Sequence, residues 1–279
     1  MSPTVAGLVL VAALLHSSWN AIAKAIPDKL ASSTLIALVY LVAGGMGVFV
    51  FGLPAAAAWP FILVSACLQT AYLILLTTSY KHGDFSQVYP LARGLAVLLV
   101  AIVAVTFLAE NLSAVQLVGV VVVGGSLLAL ALIGKGSSRL GVTFAVLTGA
   151  CIAAYSLVDG LGVRQSGSPF AYISWLFLIQ GVMIPLVCWR LAPRRMEFVA
   201  GVRVHWKLGA LGGVLSMLAY GIVVWAQNVA PLALVSALRE SSVLLAGVIG
   251  AVFFSERFSK TRLALTASAV AGIAALQLG

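Results

Sequence analysis

The chain has 279 residues, of which 62% are apolar and 8% are Asp, Glu, Lys or Arg, with a net charge of +9. That charged content is about a third of what a soluble domain carries, so a soluble enzyme or binding domain is excluded. The excess of basic residues has to find its place around a membrane.

A bilayer core takes roughly 20 apolar residues per helix, and the sequence divides into ten such stretches with short connections. In chain order they are Val5 to Ile26, Ala31 to Phe51, Pro60 to Tyr80, Ser86 to Leu108, Ala114 to Ile133, Gly141 to Leu161, Phe170 to Arg190, Leu208 to Asn228, Leu232 to Phe254 and Leu263 to Leu278. Runs such as LVGVVVVGGSLLALAL are apolar on every side, which excludes the alternating pattern of a β-barrel. Helices are then the remaining way to satisfy the backbone in lipid. The N-terminus lacks a basic leader, so the first stretch is read as a retained span. Cys67, Cys151 and Cys188 all fall in spans without metal-ligand spacing and read as small packing residues.

The basic residues gather in alternate connections: Lys24 and Lys29, Lys81, Lys135 and Arg139, then Arg190, Arg194, Arg195, Arg203 and Lys207, and finally Arg257, Lys260 and Arg262. The opposite set carries Arg164 and little else. By the positive-inside rule the basic connections are cytoplasmic and both termini extracytoplasmic, in a multi-pass protein of the inner (plasma) membrane. The positive charge thus reports topology and calls for no nucleic-acid partner.

Sliding the sequence on itself by 146 positions sets Arg93-Gly-Leu-Ala-Val-Leu-Leu against Arg239-Glu-Ser-Ser-Val-Leu-Leu. The same register pairs Phe107 with Phe253, Glu110 with Glu256, Ser113 with Ser259 and Leu117 with Leu263. Five spans per half is an odd number, so the halves, 1–134 and 135–279, cross the membrane in opposite senses. The fold expected is all-α: ten transmembrane helices as two inverted five-helix repeats around a central cavity, the plan of many secondary transporters.

Helical spacing selects polar residues that share a stripe. Span one offers His16, Asn20 and Lys24 with Trp19 beside them. Span three offers Gln69, Tyr72 and Tyr80, and span four Tyr89 and Arg93. Span six offers Tyr155 and Asp159, span eight Ser216, Tyr220 and Gln227, and span nine Ser236, Arg239 and Ser242. Spans five and ten carry Gly119, Gly124 and Gly125, or Ala267 and Gly272, which read as close-packing surfaces. Lys24 sits near a span end, where it can snorkel to the headgroups; Asp159 is also near an end, where a helix-terminal or loop partner is expected. Arg93 and Arg239 lie deeper, where a charge costs at least about 2.5–3.5 kcal/mol. Three roles are open for them: an ion pair with Glu240, support of carbonyls freed by a kink at Pro90, or a fork for a substrate anion.

The five-plus-five plan, the Trp19-Asn20-(three residues)-Lys24 pattern and the Glu110 and Glu256 turns before the last span of each half resemble the drug/metabolite transporter superfamily, EamA type. The resemblance implies secondary transport of a small zwitterionic or anionic metabolite, with amino-acid exporters the nearest group. A distant branch, the plastid phosphate translocators, exchanges phosphorylated sugars and acids and holds the anion with basic residues on the equivalent spans. It further implies that spans one, three, four, six, eight and nine line the cavity. The sequence departs from the family at His16-Ser-Ser-Trp19 and at the arginine of span four. The substrate contacts expected are Arg93, Arg239, Trp19, Asn20, Tyr72, Tyr89, Tyr220 and Gln69. The coupling candidates are His16, because the reference pKa of a histidine lies near neutrality, then Glu240, Asp159 and Lys24. No P-loop is present, so the drive is a proton or a counter-substrate, and no cofactor or metal is called for. An intramembrane enzyme would need a nucleophile with its base or paired histidines at helical spacing; His16, His82 and His205 offer neither. Alternatives are a phosphonate-type organic anion exchanger and a lipid-headgroup translocase. Membrane lipids are the surroundings expected, and ten spans around one cavity are compatible with a monomer.

Overall fold

The computed structural model describes residues 1–133, 138–243, 245 and 260–278, and within them the side chains of Tyr80, Lys81, Phe85 and Ser86 are not described. Lys135, Phe253, Glu256, Arg257 and Ser259, together with span nine beyond residue 245, therefore lie outside the described residues.

Every described element is helical: α1 (Pro3–Ala25), α2 (Lys29–Phe51), α3 (Trp59–His82), α4 (Phe85–Thr106), α5 (Ala114–Ile133), α6 (Arg139–Arg164), α7 (Pro169–Leu191), α8 (Arg195–Val204), α9 (Trp206–Val229), α10 (Leu232–Arg239) and α11 (Lys260–Leu278). Among the described residues, nine helices are long and apolar enough to cross a membrane. Their ends follow local chemistry. The Asp28 carboxylate accepts from the backbone N–H groups of Leu30 (2.8 Å) and Ala31 (3.2 Å) at the start of α2. Lys29 donates to the carbonyls of Ala23, Lys24 and Ile26 at the end of α1, where a cation meets the negative helix terminus. Ser113 and Gln116 form a reciprocal capping box on α5, with bonds of 3.2 and 3.1 Å. Ser168 caps α7, and Pro169 follows at its first position.

Two features depart from the sequence expectation. Residues 195–204, read as connection, form the short helix α8; its Arg and Glu residues hide an apolar inner face that packs Phe198 inward. Span nine, expected to run on from Leu232, turns at Glu240: α10 ends at Arg239, the Glu240 N–H bonds Ala237 O (3.1 Å), and helix resumes at 241–243.

The chain forms two compact units. One comprises Met1–Ala13, Ala71–Leu157 and Val229–Gly279, the other Leu14–Thr70 and Val158–Asn228, so the boundaries fall inside α1, α3 and α6. In the first unit α5 meets α11 at two glycines: a Cβ on Gly119 would lie 2.8 Å from Gly272 O. Small residues let backbones approach where no hydrophobic force drives helices together in lipid. Gly94 of α4 is likewise flush against α5, 2.9 Å from Gly124 O for an added Cβ. Val97, Ala101 and Ala104 of α4 pack with Val120, Leu276 and the α10 residues Ala233, Leu234 and Ala237. Gly125 and Ala267 are corrections to the packing stripes expected, since Gly125 faces open space and Ala267 is exposed. Gly124, one residue before, and Ala269, two residues after, turn inward instead.

In the second unit α2 and α7 form the main seam. A Cβ on Gly44 would lie 2.8 Å from Ser174 O, and Tyr40 stacks on Phe177 with ring centroids 4.6 Å apart. Ile62, Ala66, Val163, Tyr172, Leu176 and Val224 make its apolar core.

Candidate functional site: a buried arginine pair

The first unit brings Arg93 and Arg239 to one carboxylate. Gly94 seats α4 on α5 and leaves the neighbouring Arg93 directed elsewhere, 3% exposed. On α10 the residues Ala233, Leu234 and Ala237 face the core, while Arg239 stands at the C-terminal end, 4% exposed. The other end of α10 is fixed by Glu110, whose carboxylate accepts from the Leu232 N–H (2.7 Å) and the Ala233 N–H (3.3 Å). A carboxylate satisfies two of the helix's orphan donors there and meets its positive pole.

Glu240, in the turn after α10, is 1% exposed. Its Oε2 accepts from Arg93 Nε at 2.7 Å, and its Oε1 lies 3.6 Å from Arg239 Nε, beyond hydrogen-bond reach. Arg93 Nη2 adds a long contact of 3.4 Å to Ser242 Oγ. The arrangement is unequal. Glu240 is committed to Arg93, whereas Nε and Nη2 of Arg239 have no hydrogen-bond partner among the described residues. Among the described residues, two guanidinium groups against one carboxylate leave a formal charge of +1. In low dielectric such an excess is costly until an anion offsets it.

Aromatic residues surround the pair. The Tyr89 ring lies 6.0 Å from Arg93 Cζ, one turn earlier on α4. Tyr72 of α3 meets Tyr155 of α6 edge-on, with centroids 5.8 Å apart. Tyr72, Tyr89 and Tyr155 all lie in the buried surroundings of Arg93. Of the substrate contacts expected from the sequence, Arg93, Arg239, Tyr72 and Tyr89 thus gather here with Glu240.

The remaining candidates fall in the second unit. Asp159 of α6, fully buried, accepts from Tyr172 Oη at 2.8 Å and from Tyr220 Oη, and Gln69 Nε2 reaches it at 3.3 Å. Gln69 also donates to Tyr220 Oη (2.9 Å) and Ser65 Oγ (3.0 Å). Asp159 thus receives donors from side chains of α3, α7 and α9. Tyr172 is the residue that sequence reading missed. Its signal is Gly162, one turn after Asp159, where a Cβ would lie 2.7 Å from Tyr172 Oη; the absent side chain admits the phenol.

In α1 two side-chain bonds join near neighbours. Trp19 Nε1 donates to His16 Nδ1 (3.2 Å), and Asn20 Nδ2 donates to His16 O (2.7 Å). Lys24 is exposed in the last turn.

Long apolar helices, with a turn after α10 and buried charges between them, are those of a multi-pass membrane protein. Residues 139–277 match the EamA-like transporter family. The chain belongs to that family, within the drug/metabolite transporter superfamily. No curated protein matches the sequence. A solved crystal structure of a chain 15% identical aligns over 100% of this chain and 99% of its own, with a TM-score of 0.73, a likeness of fold.

Proposed function

We propose that the protein is a secondary transporter working by alternating access, and that Arg239 binds the anionic group of a small zwitterionic or anionic metabolite. The observation that carries this is the unequal sharing of Glu240: the buried Arg239 keeps two N–H-bearing atoms without a hydrogen-bond partner among the described residues. A carboxylate or phosphonate would take that fork in bidentate fashion. Arg93 holds Glu240 in place, and Tyr72 and Tyr89 border the bound group. The rest of the reading comes from the sequence. Ten spans form two inverted repeats, 1–134 and 135–279, with both termini extracytoplasmic in the inner membrane. Trp19, Asn20, Gln69 and Tyr220 are the further substrate contacts on that reading. His16, Glu240, Asp159 or Lys24 couples a proton, unless counter-substrate exchange supplies the drive. An amino-acid-like substrate leaving the cell fits the monovalent excess at the site.

The test is counterflow in reconstituted vesicles, with amino acids, phosphonates and sugar phosphates as probes. Saturable exchange of a carboxylate-bearing metabolite that disappears in Arg239→Met is the result expected. Flux confined to lipid analogues would replace this reading with that of a headgroup translocase.

A further inference from the structure

We infer that α8 and the chain flanking it form an interfacial site for the headgroups of anionic phospholipids. α7 ends at Leu191 and α9 begins at Trp206. Both are membrane-spanning helices, so the 10-residue α8 between them is tethered at the bilayer surface. Its inner face is already occupied: Phe198 is buried against Trp189, and Gly201 approaches Ala31 of α2.

The outer face carries two adjacent stripes. Met196, Ala200 and Val204, spaced by four, are all exposed, Met196 by 83% and Val204 by 74%. Arg195 and Arg203 run alongside, with Trp206, 56% exposed, at the end. Water is a poor solvent for the first stripe and hydrocarbon for the second; the headgroup boundary accommodates both. Between positions 190 and 207 the chain carries Arg190, Arg194, Arg195, Arg203 and Lys207 against the single acid Glu197, which pairs with Arg194 at 3.0 Å. That surplus selects anionic over zwitterionic lipid. Two cations stand over indole rings, Arg195 at 5.1 Å from Trp189 and Lys207 at 5.7 Å from Trp206. The rings orient cations that would otherwise sample many rotamers.

The inference is independent of the substrate proposed above, because it concerns residues outside both buried clusters. The full-length protein in neutral detergent is titrated with phosphatidylglycerol or phosphatidylcholine, and its melting temperature followed. Phosphatidylglycerol should raise the melting temperature and phosphatidylcholine should not. The exposed pair Arg195→Gln/Arg203→Gln should melt normally without lipid yet bind phosphatidylglycerol more weakly, about five-fold per charge and about 25-fold for the pair. Arg195→Lys/Arg203→Lys should retain most of the affinity, and Arg139→Gln all of it. Undiminished phosphatidylglycerol binding by the Gln pair would overturn the inference. Equal stabilisation by phosphatidylcholine, or a gain reproduced by inorganic phosphate alone, would overturn it too.

Discussion

The two units solve the problem of buried charge in opposite ways. In the second, one carboxylate, Asp159, collects neutral donors from Gln69, Tyr172 and Tyr220. In the first, one carboxylate, Glu240, stands between two guanidinium groups and hydrogen-bonds only one of them among the described contacts. A carboxylate surrounded by hydrogen-bond donors is held in place and makes the surrounding helices rigid. A guanidinium with unused donors stores an interaction that a ligand can complete. On the function proposed above, the arginine pair takes the substrate anion, while the aspartate cluster ties α6 to α3, α7 and α9.

Mutation of Glu240 tests that assignment with the largest expected effect. Glu240→Ala leaves two cations buried without their shared acid, and should cost about 3–5 kcal/mol of stability; thermal unfolding in detergent measures it. Asp159→Ala should follow, at about 1–3 kcal/mol, because Gln69 and Tyr220 keep the bond between them while the buried Tyr172 hydroxyl loses its acceptor. If it melted like the parent, the aspartate cluster would lose its structural role. Arg239→Met should break the pattern in the other direction. It removes an under-satisfied charge while Arg93 and Glu240 remain paired, so stability should be unchanged or rise by up to about 1–4 kcal/mol, while counterflow is lost. A strongly destabilised Arg239→Met protein would make Arg239 a structural ion like Arg93. Tyr172→Phe, the smallest change, deletes one hydroxyl and should cost about 1 kcal/mol with transport retained.

How much of this could be read from the sequence depended on which signal each feature leaves. A span leaves twenty apolar residues, so α5 was placed at Ala114 to Ile133 and observed there. The arginine pair was legible because an arginine in an apolar run is costly wherever it points, and because Arg93 and Arg239 recur at one offset. The unequal division of Glu240 was not, since it turns on 2.7 against 3.6 Å. α8 escaped because it has only ten positions and its apolar residues are split between an inward Phe198 and an exposed stripe, too few on either face to stand out among arginines. Tyr172 escaped because a tyrosine in an apolar span has no distinctive spacing, and its counterpart Gly162 registers only as a missing side chain. The choice between Gly124 and Gly125 depended on helix rotation, which a stripe of small residues fixes only to within one position.

Glu110 gives α10 a mechanical character that its length alone would not. The acid grips the two leading amides of an eight-residue helix whose last residue is Arg239. One end is thereby moored to the chain that follows α4, reached through Ala109 at a φ of 51°, while the other ends in the turn at Glu240. A load placed on Arg239 would thus pass along a short rod to Glu110 at its head and, through Glu240, to Arg93 of α4 at its foot.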